Sequence, residues 1–350
     1  MKVLVTGGAG FIGSHVVSAA LSRGWDVRVV DSLAKDIHPR RPTVEPGVEL
    51  LAGDVCDPDV VAQALEGVAV VLHQSAKVGL GVDFSDAPGY VRNNDLATAV
   101  LLAGMVRAGI GRLVLASSMV VYGEGAYHEQ NGDPVRPGPR RREDLQAGIF
   151  DPRSPVTGDL LVPALVSEEA LLDPRNVYAA SKVAQENLAS VWANTTGGQA
   201  IALRYHNVYG PGMPKDTPYA GVASFFRSAL SRGEAPRVFE DGKQRRSFVH
   251  VADVAEANIA SAQALCAGFH HPFRAYNVGA GEVHTVGEVA RTMSAINGGP
   301  EPAVTGEYRL GDVRHVTASS ALIKAELGWE PRRGFEAGMA EFMAAPLRGD

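Results

Sequence analysis

A tyrosine four residues before a lysine, in Tyr178-Ala179-Ala180-Ser181-Lys182, sets a phenol and an ammonium one turn apart on a single helix face. A phenol beside a positive charge is easier to ionise. An electrostatically favoured phenolate can take a proton from a carbinol near neutral pH as that carbinol becomes a ketone. The pair also arises by chance on solvated helices, so its meaning depends on what the rest of the chain brings to it.

The first 31 residues supply a place for a hydride acceptor. Lys2-Val3-Leu4-Val5 reads as a short strand, followed by Thr6-Gly7-Gly8-Ala9-Gly10-Phe11-Ile12-Gly13 and a helical pattern through Val16, Val17, Ala20 and Leu21. Gly7, Gly10, Phe11, Ile12 and Gly13 are the candidate cofactor-binding residues of this turn. The glycines permit a tight turn and close approach to a pyrophosphate, and the helix start offers free N–H groups and partial positive charge. The helix is expected to stop at Arg23-Gly24, and Asp26-Val27-Arg28-Val29-Val30 reads as a second strand ending in Asp31. A carboxylate there accepts from ribose hydroxyls and repels a 2′-phosphate, so the expected cofactor is NAD rather than NADP.

Further strands are expected at Glu49-Leu50-Leu51, Ala69 to His73, Arg112 to Ala116, Ala200 to Arg204 and Ala275 to Val278, alternating with helical stretches. The implied fold class is α/β, a Rossmann-type doubly wound parallel sheet with a smaller C-terminal substrate-binding domain. Ligands of such sheets sit at the carboxyl ends of strands, which singles out the residues just beyond each one. Asp54 and Val55 follow the third strand as candidates for the adenine edge. His73 ends the fourth and reads as structural. Ser117-Ser118 closes the fifth, where a hydroxyl can pass a proton between a sugar and Tyr178.

The 350 residues carry a formal net charge of −6, which argues against a nucleic-acid footprint. Arg140-Arg141-Arg142 precedes Glu143-Asp144 and reads as a solvated loop. No apolar run approaches a membrane span, and the nucleotide strand begins at residue 2, so no membrane partner and a cytoplasmic location are expected. The two cysteines, Cys56 and Cys266, suit a reducing compartment and offer no metal knuckle.

The glycine turn, Ser117-Ser118 before Val121-Tyr122-Gly123, the Tyr178 to Lys182 pair, Arg204-Tyr205-His206-Asn207-Val208-Tyr209-Gly210, and Arg246-Ser247-Phe248-Val249-His250-Val251-Ala252-Asp253 together resemble the extended short-chain dehydrogenases acting on nucleotide sugars. The resemblance spans nearly the whole chain. It implies Ser118, Tyr178 and Lys182 as the catalytic set, Tyr178 and Lys182 also touching NAD, and Asn94 at the cofactor near the active-site helix. It further implies Met119, Asn207, Arg246, Arg309 and Asp312 at the substrate, where the planar fork of arginine pairs with phosphate oxygens. A homodimer is expected on the same ground. The implied domains are residues 1–206 plus about 247–278 for NAD, and 207–246 plus about 279–350 for the nucleotide sugar.

Members that act as 4,6-dehydratases carry an acidic pair after the serine, needed to expel the C6 hydroxyl as water and to abstract the C5 proton, and the related decarboxylases usually place a glutamate at the second of these positions. Here Met119 and Val120 stand there. What remains is reversible oxidation at a sugar carbon. The stretch of about 124–175, with Pro134, Pro137, Pro139, Pro152 and Pro155, is expected to be an irregular excursion at the site mouth. It resembles the dTDP-L-rhamnose 4-epimerase subgroup, whose Cys-Pro-x-Cys-Gly knuckle is here Ser154-Pro155-Val156-Thr157-Gly158. Two hydroxyls do not hold structural zinc, so no metal is expected. Ser247 is a second departure, at a position where an Asp is usual.

The reading is an NAD-dependent 4-epimerase of a dTDP- or UDP-linked hexose or 6-deoxyhexose. The alternatives are an NADH-consuming 4-ketoreductase and a non-catalytic NAD sensor.

Overall fold

Alternating Val, Leu and Ile in short runs suit strands covered on both faces, and such runs make the central sheet. The structure is a computed structural model and describes every residue except 36, 39–41, 43, 80, 82, 216–220 and 349–350. β1 (Lys2–Thr6), β2 (Asp26–Asp31), β3 (Glu49–Ala52), β4 (Val70–His73) and β5 (Arg112–Ser118) join the strands Gln199–Tyr205 and Phe273–Val278 in one seven-stranded sheet. From one edge the order is Phe273–Val278, Gln199–Tyr205, β5, β4, β1, β2, β3, with parallel pairing at every step. The chain reverses direction across the sheet between β1 and β4. A crevice opens at that switch point, beyond the carboxyl ends of the strands.

The period of two along each strand divides the core. Val3 and Val5 face α1 (Phe11–Ser22) and the helix Val251–Cys266, where Val16, Val17, Val254 and Ile259 complete one buried layer. Leu4 and Val71 face the helices Ala97–Ala108 and Val177–Thr196, with Leu101, Met105 and Trp192 in the second layer. A third apolar cluster gathers Tyr209, Met213, Phe226, Val289, Met293, Met339 and Phe342, all after residue 206.

The 124–175 excursion is more ordered than its prolines suggest. Ala126–His128 pairs antiparallel with both Pro134–Val135 and Val162–Ala164, and a short helix covers Arg142–Gln146. The prolines fall where they do little harm, since Pro134 and Pro163 lie in edge strands. Among the described residues no helix is long and apolar enough to cross a membrane.

Candidate active site

Backbone geometry builds the nucleotide end. Gly7 has φ +65°, and a Cβ on it would lie 2.8 Å from the Ser75 backbone. A Cβ on Gly13 would lie 2.1 Å from the Gly7 carbonyl oxygen, so α1 can pack against the loop only through glycine. α1 starts after Gly10, and no side chain among the described residues caps it. Its first N–H groups therefore lack a side-chain acceptor and can receive a phosphate. Asp31 is buried, with Oδ2 accepting from Ala9 N at 3.1 Å and Oδ1 from Leu33 N at 3.0 Å. Oδ2 retains a lone pair for a ribose hydroxyl. Asp54 accepts from Cys56 N at 2.8 Å and pairs with Arg92 at 2.7 Å, while the Val55 side chain is buried in the core. Glycine cradle, uncapped helix and buried carboxylate fit the pyrophosphate and the adenosine ribose of a dinucleotide.

The helix Val177–Thr196, which bears Tyr178 and Lys182, begins where Asn176 accepts from Ala179 N at 2.8 Å. That start projects Tyr178 toward Ser118, at the carboxyl end of β5, close enough for the Ser118 hydroxyl to act on the phenol. Lys182 is buried one turn on and donates from Nζ to the Ala116 carbonyl oxygen at 2.8 Å. The expectation of an easily ionised phenol does not hold for the protein alone. Burial pushes the Tyr178 phenol up to about 12, against a smaller opposing effect of the Ser118 hydrogen bond. The Lys182 ammonium is 5.9 Å from the phenol ring centroid, and burial pulls it down to about 7, against the support of Glu186 and Asp95. Desolvation outweighs the helix-face attraction for both groups.

Asn94 is held by the chain itself. It is fully buried, its Oδ1 accepting from Lys77 N at 2.7 Å and its Nδ2 donating to Lys77 O at 2.9 Å and Ser181 Oγ at 2.8 Å. Its amide ties the loop after β4 to the helix Val177–Thr196. His73 is structural: it bridges Thr6 Oγ1 at 2.7 Å and Thr98 Oγ1 at 3.1 Å, and burial followed by the Lys182 charge holds it down at about 3.

On the opposite wall, Asn207 is half-buried, and its Oδ1 has no partner among the described residues. Met119 is half-buried in the turn that follows β5. Arg246 donates to the carbonyls of Arg245 at 2.9 Å, Arg314 at 2.8 Å and Val313 at 2.9 Å, which ties it to the segment bearing Arg309 and Asp312. The Asp312 carboxyl is raised by burial and lowered less by Arg309, Arg246 and Arg140, so these four groups share one cluster. Arg309 itself is exposed and stacks 5.0 Å from the Phe239 ring centroid. Ser247 is fully buried and accepts from Ala318 N at 3.1 Å.

Sequence reasoning missed a set of buried ion pairs. Arg140, read as solvated, is buried against Glu240 at 2.8 Å and also donates to the Asp312 carbonyl at 2.7 Å, whereas Arg141 is exposed as expected. Arg314 is fully buried and meets Asp151 at 2.7 Å, Glu240 at 2.7 Å and Asp241 at 2.8 Å. Arg204 pairs with Glu186 at 2.7 Å, and Ser117 donates to that carboxylate at 2.5 Å. A charged residue inside an apolar strand, as in Ala200-Ile201-Ala202-Leu203-Arg204, was the available signal, because such a residue must be paired. In the Ser154 to Gly158 turn, Ser154 Oγ donates to Glu129 at 2.5 Å and Thr157 Oγ1 at 3.3 Å. A hydroxyl–carboxylate clasp holds this turn, and the described residues contain no cluster of metal-binding groups.

The sequence matches the NAD dependent epimerase/dehydratase family over residues 3–155 and 156–279. The chain belongs to that family. It is 33% identical to the dTDP-L-rhamnose 4-epimerase of Burkholderia thailandensis, covering 97% of this chain and 93% of the relative. Its fold superposes on MoeE5 in complex with UDP-glucuronic acid and NAD, with a TM-score of 0.77, 30% identity and 98% of each chain covered. It also superposes on the UDP-glucose 4-epimerase of Thermus thermophilus in complex with NAD, with a TM-score of 0.75, 30% identity and 98% of each chain covered.

Proposed function

We propose that this protein is an NAD-dependent 4-epimerase of a nucleotide-activated hexose or 6-deoxyhexose carried on dTDP or UDP. The observation that carries the reading is Ser118 beside Tyr178 at the end of β5, backed by buried Lys182 and followed by Met119 and Val120. That turn offers no carboxylate to expel a C6 hydroxyl, so oxidation at C4 has no route onward to dehydration.

NAD, when bound, supplies the hydride acceptor, returns the same hydride to the other face of the sugar, and adds positive charge that favours a phenolate. Gly7, Gly10, Phe11, Ile12, Gly13 and Asp31 hold its pyrophosphate and adenosine ribose, and Asp54 and Val55 its adenine. Tyr178 takes the C4 hydroxyl proton, directly or through Ser118, and gives it back after the 4-keto sugar has turned. Lys182 supports the phenolate and reaches the nicotinamide ribose. Because the lone Tyr178 phenol is held near 12, it is poised to return the proton and becomes a base only in the charged complex.

Arg246, Arg309 and Asp312 hold the nucleotide diphosphate, Asn207 uses its unpartnered amide oxygen or, turned over, its amide N–H, and Met119 packs on the sugar. The lobe of residues 207–246 and about 279–350 is thus the nucleotide-sugar side, against an NAD side of 1–206 and about 247–278. Exposed Leu96, Val106 and Val191, with nearby Phe84 and Val91, support a homodimer through the helices Ala97–Ala108 and Val177–Thr196, which light scattering would read as twice the chain mass. The free thiols of Cys56 and Cys266 support a cytoplasmic protein.

The test is incubation of NAD-loaded enzyme with dTDP- and UDP-hexoses and no added reductant. Inversion at C4 without net NADH consumption is expected. Reaction only with stoichiometric loss of NADH would assign a 4-ketoreductase, and tight NAD binding with no sugar turnover would assign a sensor.

A further inference from the structure

The segment following the helix Phe335–Ala344 does not leave the surface. Leu347 is buried in the third apolar cluster, Arg348 N donates to the Met213 carbonyl at 3.2 Å, and Arg348 bridges to Pro214. Anchored this way, the half-buried Arg348 side chain crosses to the glycine loop and donates from Nη2 to the Ala9 carbonyl. The same nitrogen lies 3.2 Å from His38 Nδ1, and His38 Nε2 lies 3.4 Å from Asp31 Oδ1. Asp31 Oδ2 accepts from Ala9 N, which closes a ring of Ala9, Arg348, His38 and Asp31.

We infer that Arg348 and His38 are positioning residues that clasp the adenosine end of the NAD site and set how long the cofactor stays bound. A guanidinium has no lone pair to offer, so Arg348 must donate, and His38 Nδ1 must accept. The imidazole proton then sits on Nε2, aimed at Asp31. With both carboxylate oxygens also held by backbone N–H groups, Asp31 presents its remaining lone pair to the ribose in one orientation, and little side-chain freedom is lost on binding. Burial lowers the Arg348 pKa and the Asp31 charge offsets part of that, as expected of a cation held toward this carboxylate. The clasp spans two lobes. One anchor is in the Met213–Leu347 cluster and the other in the loop between β1 and α1, so release of NAD requires the two to separate. The proposal is independent of which sugar is bound.

The test uses the full chain stripped of nucleotide. NAD and NADP dissociation constants and the NAD release rate are measured by intrinsic fluorescence for Arg348→Ala, Arg348→Lys, His38→Ala and the Arg348→Ala/His38→Ala double variant. Arg348→Ala should weaken NAD and speed its release about tenfold, His38→Ala should act in the same direction, and Arg348→Lys should recover part of the loss. The double variant should be no worse than the poorer single one, because the two residues act in series. Unchanged NAD release, fully additive losses, or a selective loss of NADP that marks a 2′-phosphate receptor would overturn the clasp. Thermal melting of the nucleotide-free protein separates a packing defect. If Arg348→Ala does not fold, Arg348→Lys and His38→Ala carry the comparison, and lowered melting with unchanged NAD release in both would also overturn it.

Discussion

The two walls of the crevice are held together by different physics. At the nucleotide end, the fit comes from missing side chains: Gly7 and Gly13 leave room that any Cβ would fill, and α1 begins without a side-chain cap. On the facing wall, the 124–175 excursion is fastened to the second lobe by charge. Arg140 and Arg314 converge on buried Glu240, and Glu124 accepts from Arg314 N at 2.9 Å. The first wall tolerates changes that do not add atoms. The second is intolerant of losing one member, since each removal strands a buried opposite charge. One wall rests on local backbone shape, while the other is assembled from distant segments.

The largest expected effect separates chemistry from both walls. Tyr178→Phe removes one hydroxyl from the ring beside Ser118, so turnover should fall by about 10²–10⁴-fold while NAD and nucleotide-sugar affinities change little. Steady-state kinetics and equilibrium binding on the same preparation check this, and near-normal turnover would remove this helix from the mechanism. The comparison between the walls is sharpened by Arg314→Leu. It leaves Asp241 without its guanidinium and Glu240 with Arg140 alone, and should cost about 3–5 kcal/mol in denaturant unfolding, with NAD affinity retained wherever the protein remains folded. Loss of NAD binding in parallel with stability would show that the walls are not separate.

The smallest effect is a shift in pH dependence. Asp95 lies near Lys182, its carboxyl pushed up to about 6 by burial and lowered less by the Lys182 charge. Lys182 is at about 7, and the other group acting on it is Glu186, which supports its charge. Asp95→Asn removes one negative charge, so the ammonium loses support and its pKa falls further. Where turnover needs the ammonium, activity is present below this pKa and lost as pH rises through it. The alkaline limb of the pH–turnover curve should therefore move to lower pH in Asp95→Asn, and an unmoved limb would detach Lys182 from that limb.

Much of the fold was legible in the chain. Five β-branched or leucine-rich runs after the first two strands fell within one residue or two of observed strands, because covered parallel strands need such runs. The Thr6 to Gly13 turn and Ser118, Tyr178 and Lys182 could be named as candidates because their spacing sets local geometry. The order hidden in residues 124–175 was not legible, since antiparallel edge pairing across more than twenty residues leaves no local period.

The sequence by itself determined the nucleotide turn, the parallel α/β order and the placement of a phenol and an ammonium on one helix face. Only the tertiary structure decided their electrostatics. Burial turned Tyr178 into a weak acid and Lys182 into a nearly neutralisable base. It turned Arg140 from a loop charge into a buried latch, and it brought Arg348 across more than three hundred residues to the Ala9 carbonyl. Desolvation and long-range pairing depend on what surrounds a group in space, and no spacing rule along the chain carries that information.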